Sequence, residues 1–156
     1  MGSRCYEKGC QAGIVGELSA ADPTNENTRG DLVDGLMRAS DLASRLGSGA
    51  EAVAGYRKAL AIAESALAEK NEDNDARHVL ALLCEKLGDY DASHAAHSRV
   101  APESWRTART WYQKSLVDWK YLEDHKTRDD NYVKHPSDVA KKMAKCDAAL
   151  NGKTGK

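Results

Sequence analysis

Residues Leu46 to Leu67 read LGSGAEAVAGYRKALAIAESAL, and within this run Ala52, Tyr56 and Ala59 stand four and three residues apart. That spacing places all three on one face of an α-helix, a large ring bracketed by two methyl groups. A ring so placed fills the gap between neighbouring helices only where the residues a turn away are small enough to let the backbones approach. The arrangement returns at Ala108, Tyr112 and Ser115 in ARTWYQKSLVDW. These two stretches predict paired helices packed closely around a tyrosine.

Apolar residues recur at three and four along most of the chain, and the three prolines, Pro23, Pro102 and Pro136, each fall near a predicted helix start. A first helix is expected from about Thr28 to Leu46, with Leu32, Leu36, Ala39 and Leu42 or Ala43 inward and Gly47 and Gly49 ending it. A second runs from about Ala50 to Lys70, its stripe being Val53, Tyr56, Leu60, Ala63 and Leu67. The Asp and Asn side chains of NEDND, residues 71 to 75, suit the cap of a third helix carrying Leu80, Leu83, Cys84 and Leu87. Gly88 alone need not end that helix, because helix formers follow it. A fourth begins near Pro102 and Glu103 and reaches about Asp124, with Trp105, Ala108, Tyr112, Leu116 and Trp119 on one side. After a polar connection, a fifth starts at Ser137 as N-cap and ends at Gly152, turning Val139, Met143, Cys146 and Leu150 inward and Lys141, Lys142 and Lys145 outward.

Aligned with itself, the chain shows a repeat. Leu32, Arg38 and Asp41 match Leu80, Lys86 and Asp89 at an offset of 48, whereas Tyr56 and Leu60 match Tyr112 and Leu116 at an offset of 56. The second copy therefore carries eight more residues between its helices, and HSRVAPES, residues 97 to 104, is the expected place. CYEKGCQAGIVGELSAADPTN, near the start, parallels a second helix, as though an earlier unit were incomplete.

LGSGAEAVAGYRKAL resembles the second half of a tetratricopeptide repeat, and LCEKLGDY resembles the Leu-Gly signature of such a repeat's first helix. The family pattern falls on Leu36, Gly47, Ala52, Tyr56 and Ala59 in one copy and on Cys84, Leu87, Gly88, Ala108, Tyr112 and Ser115 in the other, covering about residues 28 to 124. Ala39 and Ser40 stand where the family has Leu-Gly, and no proline closes either unit. The phrases ADPTNENTRGDL, YRKALAIAE, WYQKSLVDW and AKKMAKCDAAL also resemble the helical tails of some bacterial Ser/Thr protein kinases. The chain lacks an HRD, a DFG and a glycine-rich phosphate loop, so a catalytic part would lie outside it.

The resemblance implies an all-α, tetratricopeptide-like array of antiparallel helix hairpins, an α-solenoid with a C-terminal capping helix. Its expected divisions are a partial repeat and linker (1–27), hairpin 1 (28–70), hairpin 2 with its insertion (71–124), and a connection with the cap (125–156). It also implies a groove lined by first helices, which transfers to Asp34, Met37, Arg38, Asp41 and Arg45, then Leu82, Glu85, Lys86, Asp89 and Ser93. Such a groove implies a non-catalytic scaffold holding a protein or peptide segment against a ladder of mixed charges. The alternatives are self-association through open repeat ends, giving an oligomer or filament, and a regulatory segment of a bacterial kinase. On this reading Tyr56→Ala costs about 3–5 kcal/mol through a cavity, and Asp41→Ala less than about 0.5 kcal/mol.

Composition narrows the other classes. With 23 basic and 24 acidic side chains the formal charge is −1, which offers no general attraction to nucleic acid or anionic lipid. No apolar run has the length to span a bilayer. Four cysteines in 156 residues lack the density of a disulfide-stapled secreted domain and suit a reducing, cytoplasmic compartment. Cys84 and Cys146 lie on apolar stripes and read as buried fillers, while Cys5 and Cys10 are spaced onto different sides of a helix. Asp91, His94 and His97 share a face but lack converging ligands, so they read as solvent-facing, with neither metal nor cofactor expected. Trp105 and Trp119 share the stripe of Tyr112 and read as core; Trp111 points elsewhere as the candidate exposed anchor. The sequence holds no hydrolase or metalloprotease motif.

Overall fold

The computed structural model describes residues 26–97, 101–125 and 135–152, with side chains from residue 28 and, after the second gap in the description, from residue 102. Cys5, Cys10 and the expected partial repeat before residue 26 lie outside the described residues. Those described form five helices, α1 (Glu26–Arg45), α2 (Gly49–Glu69), α3 (Asn74–His97), α4 (Ala101–Asp124) and α5 (His135–Asn151), with no strand among them. The protein is all-α. It divides into two compact units, Met1–Ile62 and Ala63–Lys156, the division falling inside α2.

In the first unit, the turn from α1 to α2 is set by backbone geometry. Gly47 adopts φ +82°, and Ser48 N–H donates back to the Ala43 carbonyl at 2.9 Å, the six-to-one bond of a glycine-terminated helix. Ser48 then supplies the carbonyl that accepts from Ala52 N–H at 3.1 Å, so α2 begins one residue after α1's closure is complete. Gly49 is the first residue of α2 rather than a second breaker.

The buried face of α1 is rotated from the expected one. Val33 and Ser40 are buried, Leu32, Leu36 and Ala43 are half-buried, and Ala39 and Leu42 are exposed. Ser40 faces α2, where a Cβ at Gly55 would meet its Oγ at 2.0 Å. The two helices meet at two small residues, Ser40 and Gly55, and this contact, rather than the leucine stripe, accompanies the rotation of α1. Ser40 satisfies its hydroxyl by donating to the Leu36 carbonyl at 2.7 Å. From α2, Ala52, Tyr56, Ala59 and Leu60 are buried, both alanines completely.

In the second unit, Asp73 caps α3 by accepting from Ala76 N–H at 2.8 Å, as NEDND leads one to expect. α3 runs unbroken through Gly88 to His97. It lies antiparallel to α4, because partners descend α3 as they ascend α4. Tyr112 reaches Asp89, Ser115 Oγ donates to the Ala81 carbonyl at 2.8 Å, and Arg77 pairs with Asp118 at 3.3 Å. The Arg77 guanidinium also sits 3.8 Å above the Tyr121 ring and bonds the Asn71 carbonyl at 3.0 Å, tying the turn before α3 to α4.

α5 starts at His135, with Pro136 in its first turn, so Ser137 is inside the helix and is not the N-cap the sequence suggested. It runs antiparallel to α4, with Arg109 joined to Asp147 near one end and His135 stacked on Trp119 at the other, centroids 4.3 Å apart. Val139 and Cys146 are fully buried in one cluster with Trp105, Ala108, Tyr112, Leu116, Trp119 and Leu122. Full burial of side chains this size contributes roughly 1.5–3 kcal/mol each for the larger aliphatics and aromatics, so α5 is an integral wall of this core. No described helix is long and apolar enough to cross a membrane.

Candidate interaction surface

The same contact fastens each hairpin. Tyr56 donates its hydroxyl to Asp41 Oδ1 at 2.6 Å, and Tyr112 donates to Asp89 Oδ1 at 2.8 Å. In both cases the ring descends between small residues of the second helix while the hydroxyl surfaces beside the first. Burial and the acceptor carboxylate both hold the phenols in their neutral form, raising each above the ordinary tyrosine range. Asp41 and Asp89 are thus anchors for the core rings as well as candidate groove residues. A neutral effect of Asp41→Ala is no longer the expectation, since a phenol O–H half-hidden from water would lose its acceptor.

The ten candidate positions divide by surroundings. On α1, Asp34, Arg38 and Arg45 are exposed, Met37 is half-buried, and Asp41 is half-buried under Tyr56. On α3, Leu82 packs against the core cluster, Glu85 and Lys86 are half-buried, and Asp89 and Ser93 are exposed. The Ser93 carbonyl lies 2.8 Å from His97 Nδ1.

Lys142 changes the chemistry of the second set. Expected to face outward, it turns inward: its ammonium donates to Glu85 Oε1 at 2.6 Å and to Asp89 Oδ2 at 2.7 Å. The reason is electrostatic, because two carboxylates one helical turn apart on α3 meet α5 at this point and a long aliphatic stem can carry the charge to them. Burial lowers the Lys142 pKa, but the hydrogen bonds to Asp89 and Glu85 and their charges outweigh it and leave the ammonium above its ordinary range. His135 Nδ1 lies 3.8 Å from Glu85 Oε2, and the Lys142 ammonium is 5.9 Å from the centre of the Tyr112 ring. Glu85, Asp89, Tyr112 and Lys142 therefore form one network joining three helices.

Lys142 and the two tyrosine hydroxyls are what sequence reasoning missed. A signal for the hydroxyls was present: Asp41 with Asp89 and Tyr56 with Tyr112 are among the few identities kept by both copies. Residues retained as a pair on facing helices are candidates for direct contact. For Lys142 there was none, since a lysine at the margin of a helix face follows whichever charges its neighbour presents.

Cys84 and Cys146 are free and buried, and burial pushes the Cys84 thiol up to about 12 while also raising Cys146. His94 and His97 are exposed, and among the described residues no group of three His, Cys, Asp or Glu side chains is placed to hold a metal ion.

No protein-family model, curated protein or solved structure matches the chain.

Proposed function

We propose that the protein is a non-catalytic scaffold of tetratricopeptide-like hairpins that holds a segment of a protein partner on the exposed face of its first helices. The observation that carries this reading is the tyrosine to aspartate bond repeated in both hairpins. It holds each first helix against its second by the same pair of residue types. On α1 this leaves Asp34, Arg38 and Arg45 exposed to solvent as a mixed-charge row. On α3 the carboxylates of Glu85 and Asp89 are already engaged by Lys142, so α1 is the surface on which a partner's affinity would chiefly depend.

The test is capture from lysate by the wild-type chain and by a variant carrying Arg38→Ala and Arg45→Ala. Both residues are exposed, so circular dichroism should be unchanged while the captured protein is released. Capture equal to wild type defeats the assignment to this row.

Self-association is the second reading, favoured by Leu42 and Leu46, two exposed leucines one turn apart at the end of α1. A wild-type oligomer dispersed by Leu46→Ser in light scattering would establish it; a dilution-stable monomer would remove it.

A further inference from the structure

The outward face of α4 carries a second surface, built from none of the groove positions. Arg106, Thr107, Thr110, Trp111 and Lys114 line an open depression of about 290 Å³. Trp111 is half-buried at its edge, and the Lys114 ammonium stands 4.9 Å from the centre of the indole. One turn beyond Lys114, Val117 is 63% exposed on the same helix.

Between Ser104 and Leu122 the fully charged side chains of α4 are Arg106, Arg109, Lys114, Asp118 and Lys120. Asp118 is taken by Arg77, and Arg109 by Asp147. The three left exposed, Arg106, Lys114 and Lys120, are all positive, and among the described residues none is paired with a carboxylate. Of these, Arg106 and Lys114 line the depression beside the indole.

The geometry points to this ledge as a docking site for an acidic peptide segment that carries an apolar side chain between its acids. Arg106 and Lys114 are eight residues apart, about 12 Å along the helix axis. An extended segment rises about 3.3 Å per residue, so acids four positions apart reach both cations. The side chain midway between them falls over Thr110, beside the half-buried Trp111. The indole face is already occupied by the Lys114 ammonium, which disfavours the stacked base that single-stranded nucleic acid would need and leaves the edge for an aliphatic contact.

The test titrates the full chain with a synthetic peptide containing Glu-Ser-Leu-Ser-Glu and follows the Trp111 indole N–H resonance. The acidic peptide should shift that resonance, and Arg106→Glu with Lys114→Glu should weaken binding by about tenfold or more. Raising salt should weaken binding as well. The Arg38→Ala, Arg45→Ala variant should bind this peptide like wild type, which separates the ledge from the α1 row. The proposal is overturned if no shift occurs, if the charge-reversed variant binds unchanged with helicity intact, if a Lys-Ser-Leu-Ser-Lys peptide binds equally, or if oligothymidylate binds more tightly than the acidic peptide.

Discussion

The two hairpins solve one packing problem with the small residue in different places. In the first, Ser40 and Gly55 face each other, and the serine hydroxyl folds back on its own helix to make room. In the second, the position matching Ser40 is Gly88, where a Cβ would stand 2.6 Å from the Tyr112 ring, and the position matching Gly55 is Trp111. The tyrosine hydroxyl bond survives both arrangements. What the fold requires is therefore the ring and its acceptor; the space around them is negotiable. The second hairpin is also the more fully buried, with Leu80, Leu83 and Leu87 inward where α1 has half-buried Leu32 and exposed Gly35 and Ala39.

Deleting the rings is the harshest way to break the comparison. Tyr112→Ala and Tyr56→Ala should each cost about 3–5 kcal/mol in denaturant melts, and Tyr112 more than Tyr56, because its cavity opens among Trp105, Leu116, Trp119 and Leu122. Equal costs would show that the hairpins are buttressed alike. Gly88→Ala comes next: a methyl group 2.6 Å from ring carbon forces Tyr112 aside and should cost about 1–3 kcal/mol, whereas Ser40→Ala should stay below about 1 kcal/mol. Similar values for the two would mean that Gly88 is no more confined than Ser40.

Removing an acceptor should have a smaller effect. Asp41→Ala leaves the Tyr56 hydroxyl without this acceptor and should cost about 1 kcal/mol, while Asp34→Ala, exposed on the same helix, should change stability by less than about 0.5 kcal/mol. Equality of these two would remove the clamp from the stability argument.

Alkaline titration sharpens the same point with the least perturbation. Cys84, Tyr56 and Tyr112 hold their protons to higher pH folded than in the unfolded chain, where they ionise near about 8.5 and 10. Above those values the unfolded state binds fewer protons, so folding stability falls as pH rises from about 9 to 11. Lys142 acts in the same direction at the upper end: its folded pKa is raised, so its contribution is complete below its unfolded value of about 10.4 and is lost as pH climbs through the folded one. Tyr56→Phe with Tyr112→Phe should flatten the decline. An unchanged slope would show that neither phenol resists ionisation in the fold.

Much of this architecture is legible because helix periodicity is a one-dimensional property. The Ala52, Tyr56, Ala59 spacing, its echo at Ala108, Tyr112 and Ser115, and the Asp73 cap are all local facts that the chain declares. The rotation of α1 was not legible, since Leu32, Leu36 and Leu42 form a better apolar stripe than the Val33 and Ser40 face that is buried. That face meets Gly55, which belongs to another helix. The candidate groove was readable as positions on a helix face, but the Lys142 network was not, because it arises only when three helices bring their charges together.

Trp119 lies between two imidazoles from different helices, His135 at the first residue of α5 stacked at 4.3 Å and His78 of α3 edge-on at 5.4 Å. An indole held this way carries a built-in optical gauge. When the amino-terminal turn of α5 lifts, the stacked imidazole leaves first, and the Trp119 component of the emission, isolated in a Trp105→Phe, Trp111→Phe background, will register that fraying while the rest of the helical ellipticity is still intact.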